Sequence, residues 1–399
     1  MACAGRHGPE VRSDCWINVE PGGSGLHLNL ESKVKSLYGT HIERQIKQAC
    51  ARVGLKNARI DIKDSGALPF VISARLETAL RRSGINVGST LVPPAKADFT
   101  ASDKDRLRRT RLYLPGNTPH LFLNAGLHEP DAIILDLEDS VAPSEKDAAR
   151  VLVRNALLAV DFYKAERMVR INQLPMGLDD LEWIVPCGVQ LILLPKCESP
   201  DQARLVDEKL NAINPGHAVW LLPIIESARG CFYAFEIAGA SPNIAGLAVG
   251  LEDYTADIGV QRTSSGYESL WAQSRIVNAA RAHGIQAIGS VFSHVDDQEG
   301  CFQAARAAKN LGFDGMGCIH PRHIPVMHDA FAPGEDEISR AKEIVLAFAE
   351  AQEKGLGVVS LNNKMIDAPV VKRAQTVIRH AIQAGRLNPG WQDNTSEVE

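Results

Sequence analysis

Residues 132–139 read Ala132-Ile133-Ile134-Leu135-Asp136-Leu137-Glu138-Asp139. Four apolar residues run without alternation, then three acids follow around a single leucine. A short unbroken apolar run is what a parallel strand buried on both faces needs. The abrupt change to acids marks the point where such a strand leaves the core. The same pattern recurs on both sides, at Arg111–Pro115, Met168–Ile171, Leu191–Leu194, Val219–Ile225, Ile244–Val249, Ala287–Phe292 and Gly315–Ile319. Amphipathic helical stretches separate most of these runs. Eight strand–helix units in little more than 200 residues predict an α/β fold, a (β/α)8 TIM barrel over residues 106–333, rather than a doubly wound sheet.

Towards the N-terminus the pattern loosens. Gly84 to Thr90, then Pro93-Pro94 and a polar run, read as a linker over 87–105. Residues 1–86 predict a small α+β domain. Trp16–Val19, Leu26–Leu30 and Arg59–Lys63 alternate apolar and polar as half-buried strands do, and Pro21-Gly22-Gly23 supplies a turn. Residues 41–53 place Ile42, Ile46, Ala49 and Val53 on one helical face, and a second helix spans about 69–82. Beyond the barrel, residues 334–399 predict two helices, 335–354 and 368–385, with a Gly355-Leu356-Gly357 break between them and a disordered acidic end from Asp393.

Composition excludes several function classes. Hydrophobic residues make up 45% of the 399-residue chain, and the net charge of −5 comes without a basic stripe, which argues against nucleic acid as a partner. No apolar stretch approaches the ~20 residues that span a bilayer. Residues 1–10 lack the apolar core of a signal peptide, and Glu10 and Asp14 do not suit a transit peptide, so a soluble cytoplasmic protein is expected. The eight cysteines include no Cys-x-x-Cys pair and read as reduced, mostly buried thiols.

A barrel carries its chemistry at the C-terminal ends of its strands. There the sequence sets Asp136-Leu137-Glu138-Asp139, Arg170-Ile171-Asn172, Pro195-Lys196, Glu226-Ser227, Glu252-Asp253 and His320-Pro321. Taken singly, each has an ordinary role as a cap, a rim ion pair, a surface lysine or a loop histidine. Their concentration at one end points instead to a site. Converging carboxylates without a Cys/His cluster suit a hard cation such as Mg2+, and an arginine beside it can grip a carboxylate. Metal plus arginine is equipment for a 2-oxo acid.

These residues also carry a resemblance. From Arg109 to about Ala381 the chain resembles the citrate lyase β-subunit (HpcH/HpaI aldolase) family, which includes malyl-CoA and citramalyl-CoA lyases. The matching motifs are Leu112-Tyr113-Leu114-Pro115-Gly116-Asn117, Leu135 to Asp139, Val169-Arg170-Ile171-Asn172, Leu194-Pro195-Lys196, Ile225-Glu226-Ser227-Ala228-Arg229-Gly230, Gly250-Leu251-Glu252-Asp253, Ile319-His320-Pro321 and Met365-Ile366-Asp367. The resemblance implies that Glu226 and Asp253 ligate Mg2+, that Glu138 and Asp139 support the metal's water shell, and that Arg170 binds the oxo-acid carboxylate. It places Tyr113, Leu251 and Glu252 at the substrate, and Glu138 and Arg170 among the catalytic groups. It also puts Asp367 on a C-terminal helical lid, as an acid/base reaching a neighbouring subunit of a homo-oligomer, a trimer or hexamer.

The small domain resembles the citrate lyase acyl-carrier (γ) subunit, best from Asp64 to Leu68 and from Ala74 to Leu80. That resemblance implies a phosphoribosyl-dephospho-CoA arm on Ser13, loaded by a separate transferase subunit. The family's Ser-Gly-Asp is Ser13-Asp14 here. Two further departures lie in the barrel, where Gly289 and Met316 stand in place of an aspartate and a lysine. Lysines that hold coenzyme A in some members are also absent, with His120 and Asn124 in their region.

The expected reaction is cleavage of a citryl-like 3-hydroxyacyl thioester to an acetyl-type thioester and a 2-oxo acid such as oxaloacetate. The fused carrier is expected to raise the tethered substrate to about millimolar through its linker. Two alternatives stand beside it: a lyase of free coenzyme A thioesters, and an inactive carrier or scaffold subunit.

Overall fold

The computed structural model describes residues 2–88, 100–213, 218–355, 357–361 and 364–392. The Pro93-Pro94 stretch of the expected linker and the acidic end from Asp393 lie outside the described residues. The chain divides into two compact units, Met1–Met327 and His328–Glu399.

The first unit begins with a four-stranded sheet built from β1 (Cys3–Ala4), β2 (Cys15–Pro21), β3 (Leu26–Ser32) and β4 (Ala58–Asp64), in the order β1-β2-β4-β3. The turn at Pro21-Gly22-Gly23 does not close a hairpin. β4 inserts between the two strands that flank it, antiparallel to β2 and parallel to β3. Helices α1 (Lys35–Arg52) and α2 (Pro69–Arg82) cover one face, and Ile17, Ile46, Ile60, Ile62, Leu76 and Leu80 form the core between the layers.

Eight parallel strands then close into a barrel: β5 (Thr110–Pro115), β6 (Ala132–Asp136), β7 (Glu166–Arg170), β8 (Leu191–Leu194), β9 (Trp220–Ile225), β10 (Gly246–Val249), β11 (Gln286–Gly289) and β12 (Gly315–Cys318). The ladder of β12 against β5, Met316 beside Thr110 and Cys318 beside Leu112, completes the ring. The first crossover is made by two 3-10 turns, Pro119–Leu121 and Ala125–His128. The others use α3 (Lys146–Ala159), α4 (Met176–Ile184), α5 (Pro200–Ile213), α6 (Ala228–Phe232), α7 (Ala234–Ala238), α8 (Leu251–Asp257), α9 (Tyr267–Ala282) and α10 (Gln298–Leu311).

Ala132, Ile134, Met168, Leu191, Leu193, Leu222, Ile224 and Ile288 fill the barrel interior, as side chains must when eight strands close so tightly. At its N-terminal end a buried pair replaces apolar packing. Arg108 donates from Nε and Nη2 to the two oxygens of Glu166 at 2.7 and 2.8 Å, and Ser102 bonds the same carboxylate. All eight cysteines are free thiols and all but Cys3 are buried, as expected of small apolar side chains. Among the described residues no helix is long and apolar enough to cross a membrane.

The small domain is docked on the barrel. α2 packs along α3, and charged side chains lock the two together. Arg154 clamps Glu77 at 3.0 and 2.6 Å, and both are buried. Arg82 grips Asp147 at 2.9 and 2.6 Å, and Asn155 donates to the Phe70 carbonyl. Arg81 and Arg154 both lie over the Trp183 ring, at 4.8 and 5.1 Å. Arg75 clamps Asp14 at 2.9 Å through both oxygens and donates onward to the carbonyl of Asn117, in the loop after β5. The small domain is thus held in place by directional, desolvated contacts.

The second unit holds α12 (Glu335–Glu353), a hairpin of β13 (Val359–Leu361) and β14 (Lys364–Ile366), and α13 (Ala368–Gln383). Its core joins Ile344, Ile366, Val371, Ile378 and Trp391. The helix α11 (His323–Phe331) spans the division between the units.

The buried clamp at Asp14 has a measurable consequence. Arg75→Met strands a carboxylate that is 2% exposed, and should cost about 3–5 kcal/mol in urea unfolding. The double variant Asp14→Leu/Arg75→Met should recover part of that loss; equal stability of wild type and Arg75→Met would show the pair to be inert.

Candidate active site

A cavity of about 500 Å3 opens at the C-terminal ends of the barrel strands. Its geometry begins with register. Asp136 closes β6 and Arg170 closes β7, and the two are ladder neighbours. Their side chains meet as a bidentate pair, Nε to Oδ1 and Nη2 to Oδ2, both at 2.7 Å. Burial opposes ionisation of Asp136, but the Arg170 hydrogen bonds and charge overcome it and hold the carboxyl below its usual range. The remaining arm of Arg170, Nη1, lies 2.9 Å from Glu138 Oε2, and the guanidinium sits 5.4 Å from the centre of the Tyr113 ring. Asp136 was not singled out in the sequence. Its signal was its place two residues before Glu138 and level with Arg170.

Glu138 is buried, accepts from Gln173 Nε2 at 2.9 Å, and has its pKa raised by that burial against the pull of Arg170. Asp139 stands on the exposed rim, 3.7 Å from Arg170 Nη1. Across the mouth, Glu226 directly follows β9 and accepts the Lys196 backbone N–H at 2.7 Å. Burial, with the like charges of Asp253 and Glu138 adding to it, pushes the Glu226 carboxyl up to about 8. Gly250 makes room for it: a Cβ at that position would lie 2.5 Å from Glu226 Oε2.

Asp253, in the first turn of α8, is half-exposed and 3.5 Å from Lys196 Nζ, which is also 3.9 Å from Glu138. Lys196 thus belongs to the charge cluster, although a lone Pro-Lys reads as a surface lysine. It adopts φ of +46°, a left-handed backbone rare for a lysine.

The other predicted residues fall in different places. Leu251 starts α8, with its N–H on Ser290 Oγ at 3.2 Å, and lines the cavity. Glu252 turns to the rim and pairs with Arg262 at 2.7 Å. His320 accepts the Arg322 N–H at 3.2 Å, a loop contact. Asp367 lies in the second unit, where it caps α13 by accepting from Val370 N–H at 3.2 Å. Ser13 is half-buried in the small domain, at φ of +53°, with its N–H on the Ser65 carbonyl. Through its neighbour Asp14, and Arg75 on Asn117, it sits at the barrel end that holds the cavity.

The donor set suits a hard divalent ion. Glu226 and Asp253 offer oxygen only, and a cation would relieve both the burial that raises the Glu226 pKa and the like charges beside it. Among the described residues no three His, Cys, Asp or Glu side chains form a closed metal cage. Oxygen donors of this kind suit Mg2+, which takes one or two carboxylates and completes its shell with water and substrate.

Comparison with known proteins bears directly on this arrangement. The HpcH/HpaI aldolase/citrate lyase family model matches residues 109–321, and that of the malonate decarboxylase delta subunit (MdcD) matches residues 6–83. The citrate lyase subunit beta of Leuconostoc mesenteroides subsp. cremoris is 41% identical, covering 70% of this chain and 95% of that protein. An L-malyl-CoA/beta-methylmalyl-CoA lyase of Cereibacter sphaeroides is 32% identical, covering 69% of this chain and 95% of its own. The crystal structure of CitE from Mycobacterium tuberculosis in complex with magnesium, acetoacetate and coenzyme A superimposes with a TM-score of 0.58 at 30% identity, over 71% of this chain and 100% of that one.

The two barrel departures prove to be one feature. Gly289 and Met316 are partners in the β11–β12 ladder. A Cβ on Gly289 would meet Met316 Cγ at 3.1 Å and Ala308 Cβ of α10 at 3.7 Å, so these positions face each other on the helix side of the sheet. An aspartate and a lysine there would pair with each other; glycine and methionine replace the pair by an apolar contact, which removes the main support for an inactive barrel. Gly289→Asp and Met316→Lys should therefore each cost about 3 kcal/mol or more, by burying an unmatched charge. Thermal unfolding of the double variant should show a coupling of about 0.5–3 kcal/mol; strict additivity would separate the two positions.

Proposed function

The chain belongs to the HpcH/HpaI aldolase/citrate lyase family, whose relatives here are carbon–carbon lyases, and we propose that this Mg2+-dependent lyase cleaves a citryl-like 3-hydroxyacyl thioester to an acetyl-type thioester and a 2-oxo acid such as oxaloacetate. The observation that carries this reading is the convergence of Glu226, Asp253 and Arg170 on one cavity at the barrel mouth, with Glu138 held against Arg170 and Lys196 beside it. Glu226 and Asp253 would hold the Mg2+, with Glu138 and Asp139 on its water shell. The ion supplies charge stabilisation at the oxygens of the oxo acid, worth several kcal/mol.

The chain's own residues do the rest. Arg170, oriented by Asp136, holds a substrate carboxylate. Tyr113 and Leu251 shape the wall, and Glu252 lies at the rim. Glu138 accepts the hydroxyl proton; the carbon–carbon bond then breaks, leaving the oxo acid and a thioester enolate. Asp367, acting from the C-terminal lid on a neighbouring subunit's site, returns a proton to the enolate carbon. That role requires a neighbouring subunit, which we assign to a homo-oligomer, a trimer or hexamer, in the cytoplasm.

The small domain is read as an acyl carrier over residues 1–86, joined by 87–105 to a lyase domain over 106–333, with residues 334–399 as helices and lid. Ser13 would bear the phosphoribosyl-dephospho-CoA arm, added by a separate transferase subunit. Its place at the cavity end of the barrel supports this. Since the domain is docked, the arm rather than the domain has to travel. A second reading, turnover of free coenzyme A thioesters, draws support from the malyl-CoA lyase relative and from the coenzyme A-bound CitE.

Glu226→Gln and Asp253→Asn should each lower Mg2+-dependent turnover by at least about 100-fold, consistent with loss of several kcal/mol of charge stabilisation. Retained activity would remove them from the ligand set. Asp367→Asn should depress kcat more than it raises KM, as loss of a group acting in the transition state does. Intact mass of the protein from its own host, with mapping of the Ser13 peptide, decides between the substrates. A pantetheine-bearing increment lost in Ser13→Ala supports the carrier, and an unmodified serine moves coenzyme A thioesters first.

A further inference from the structure

Below the ring of carboxylates lies a cation that the proposed mechanism does not use. Arg111 is the second residue of β5, two residues beneath Tyr113, and with Tyr113 and Pro115 it lines the cavity. Its side chain is buried, with the residue 1% exposed, yet its Nε and Nη1 have no hydrogen-bond partner. The nearby carboxylate cannot neutralise it: both oxygens of Glu166 are taken by Arg108. The other arginine lining the cavity differs, because Arg170 donates from Nε, Nη1 and Nη2 to Asp136 and Glu138.

The strand neighbours of Arg111 are Ala132 on β6 and Gly317 on β12, so no large side chain competes for the space beside it. Gly317 cannot be enlarged freely, since a Cβ there would lie 2.7 Å from Val291 Cγ1 and 3.0 Å from the Tyr113 ring. Burial lowers the pKa of Arg111 and outweighs the opposing influence of Tyr113, Cys318 and Glu166. A desolvated guanidinium with open N–H groups is destabilising unless an anion or ordered water meets it. Among anions, a carboxylate matches the planar donor set.

We propose that Arg111 is an anion subsite on the floor of the active-site cavity, taking a substrate carboxylate separate from the one assigned to Arg170. Arg111 is then a specificity-determining residue, favouring a 2-oxo acid with a second carboxylate over a monocarboxylic one. This rests on the lyase reading above and adds to it the group that selects the oxo acid.

Pyruvate and oxaloacetate differ by one carboxylate and provide the test. Calorimetric titration of the full chain with Mg2+ should give oxaloacetate an affinity at least about 10-fold above pyruvate, the scale of a hydrogen bond to a charged group. Arg111→Met should bring the ratio close to one while leaving pyruvate binding unchanged. The ligand-free variant should melt no lower than wild type, since an unpartnered buried charge has been removed. Should Arg111→Met not fold, Arg111→Lys keeps the charge but not the planar fork, and the preference should fall several-fold. Wild-type preference retained in a folded variant overturns the subsite, as does a parallel loss of both ligands, which a purely structural arginine would produce. Absence of any Mg2+-dependent binding by the wild type overturns the lyase reading itself, and this inference with it.

Discussion

The β12–β5 ladder closes eight strands into a ring, and the arrangement of this protein's chemistry follows from that closure. Strands that run parallel and end together must deliver their terminal side chains to one rim. Asp136, Arg170 and Glu226 are all last residues of strands or the residue after one, so closure brings to the wall of one cavity groups that lie up to 90 positions apart in the chain. The interior below them is packed with Ile, Leu, Met and Ala, which leaves the rim as the place where polar atoms can converge without being smothered.

At that rim the balance of charge decides what the site can hold. Arg170 is committed to Asp136 and Glu138, and Lys196 bridges Glu138 and Asp253. Glu226 is left in a poor solvent and among like charges, and its pKa is raised first by that burial and then by those charges. On the floor the sign reverses at Arg111. A cavity with surplus negative charge at its mouth and surplus positive charge beneath is polarised along its depth. A cation bound above and an anionic substrate group below would each be matched to the local field.

The small domain adds a mechanical constraint. Its buried pairs Arg154–Glu77 and Arg75–Asp14, with Trp183 under two arginines, bind it to α3 and to the loop after β5. Such contacts are directional and desolvated, so partial undocking would strand charges in a poor solvent. Fusion in this protein is therefore more than tethering: it sets the distance and direction from Ser13 to the barrel mouth.

Local signals made much of this legible in the sequence. Unbroken apolar runs such as Leu191–Leu194 read as buried strands, and the acids that follow Leu135 mark a strand end, so the barrel and its polar rim were both readable. So were Glu226, Asp253 and Glu138 as candidates, because chemistry at strand ends is a positional rule. What sequence spacing does not encode is which side chains meet across the ladder. The Asp136–Arg170 clamp, the facing of Gly289 and Met316, the recruitment of Lys196, the unpartnered Arg111 and the docking of the small domain all depend on register and close packing between segments far apart in the chain. Those are settled only when the strands close, because hydrogen-bond register and desolvation are properties of the assembled fold rather than of any segment.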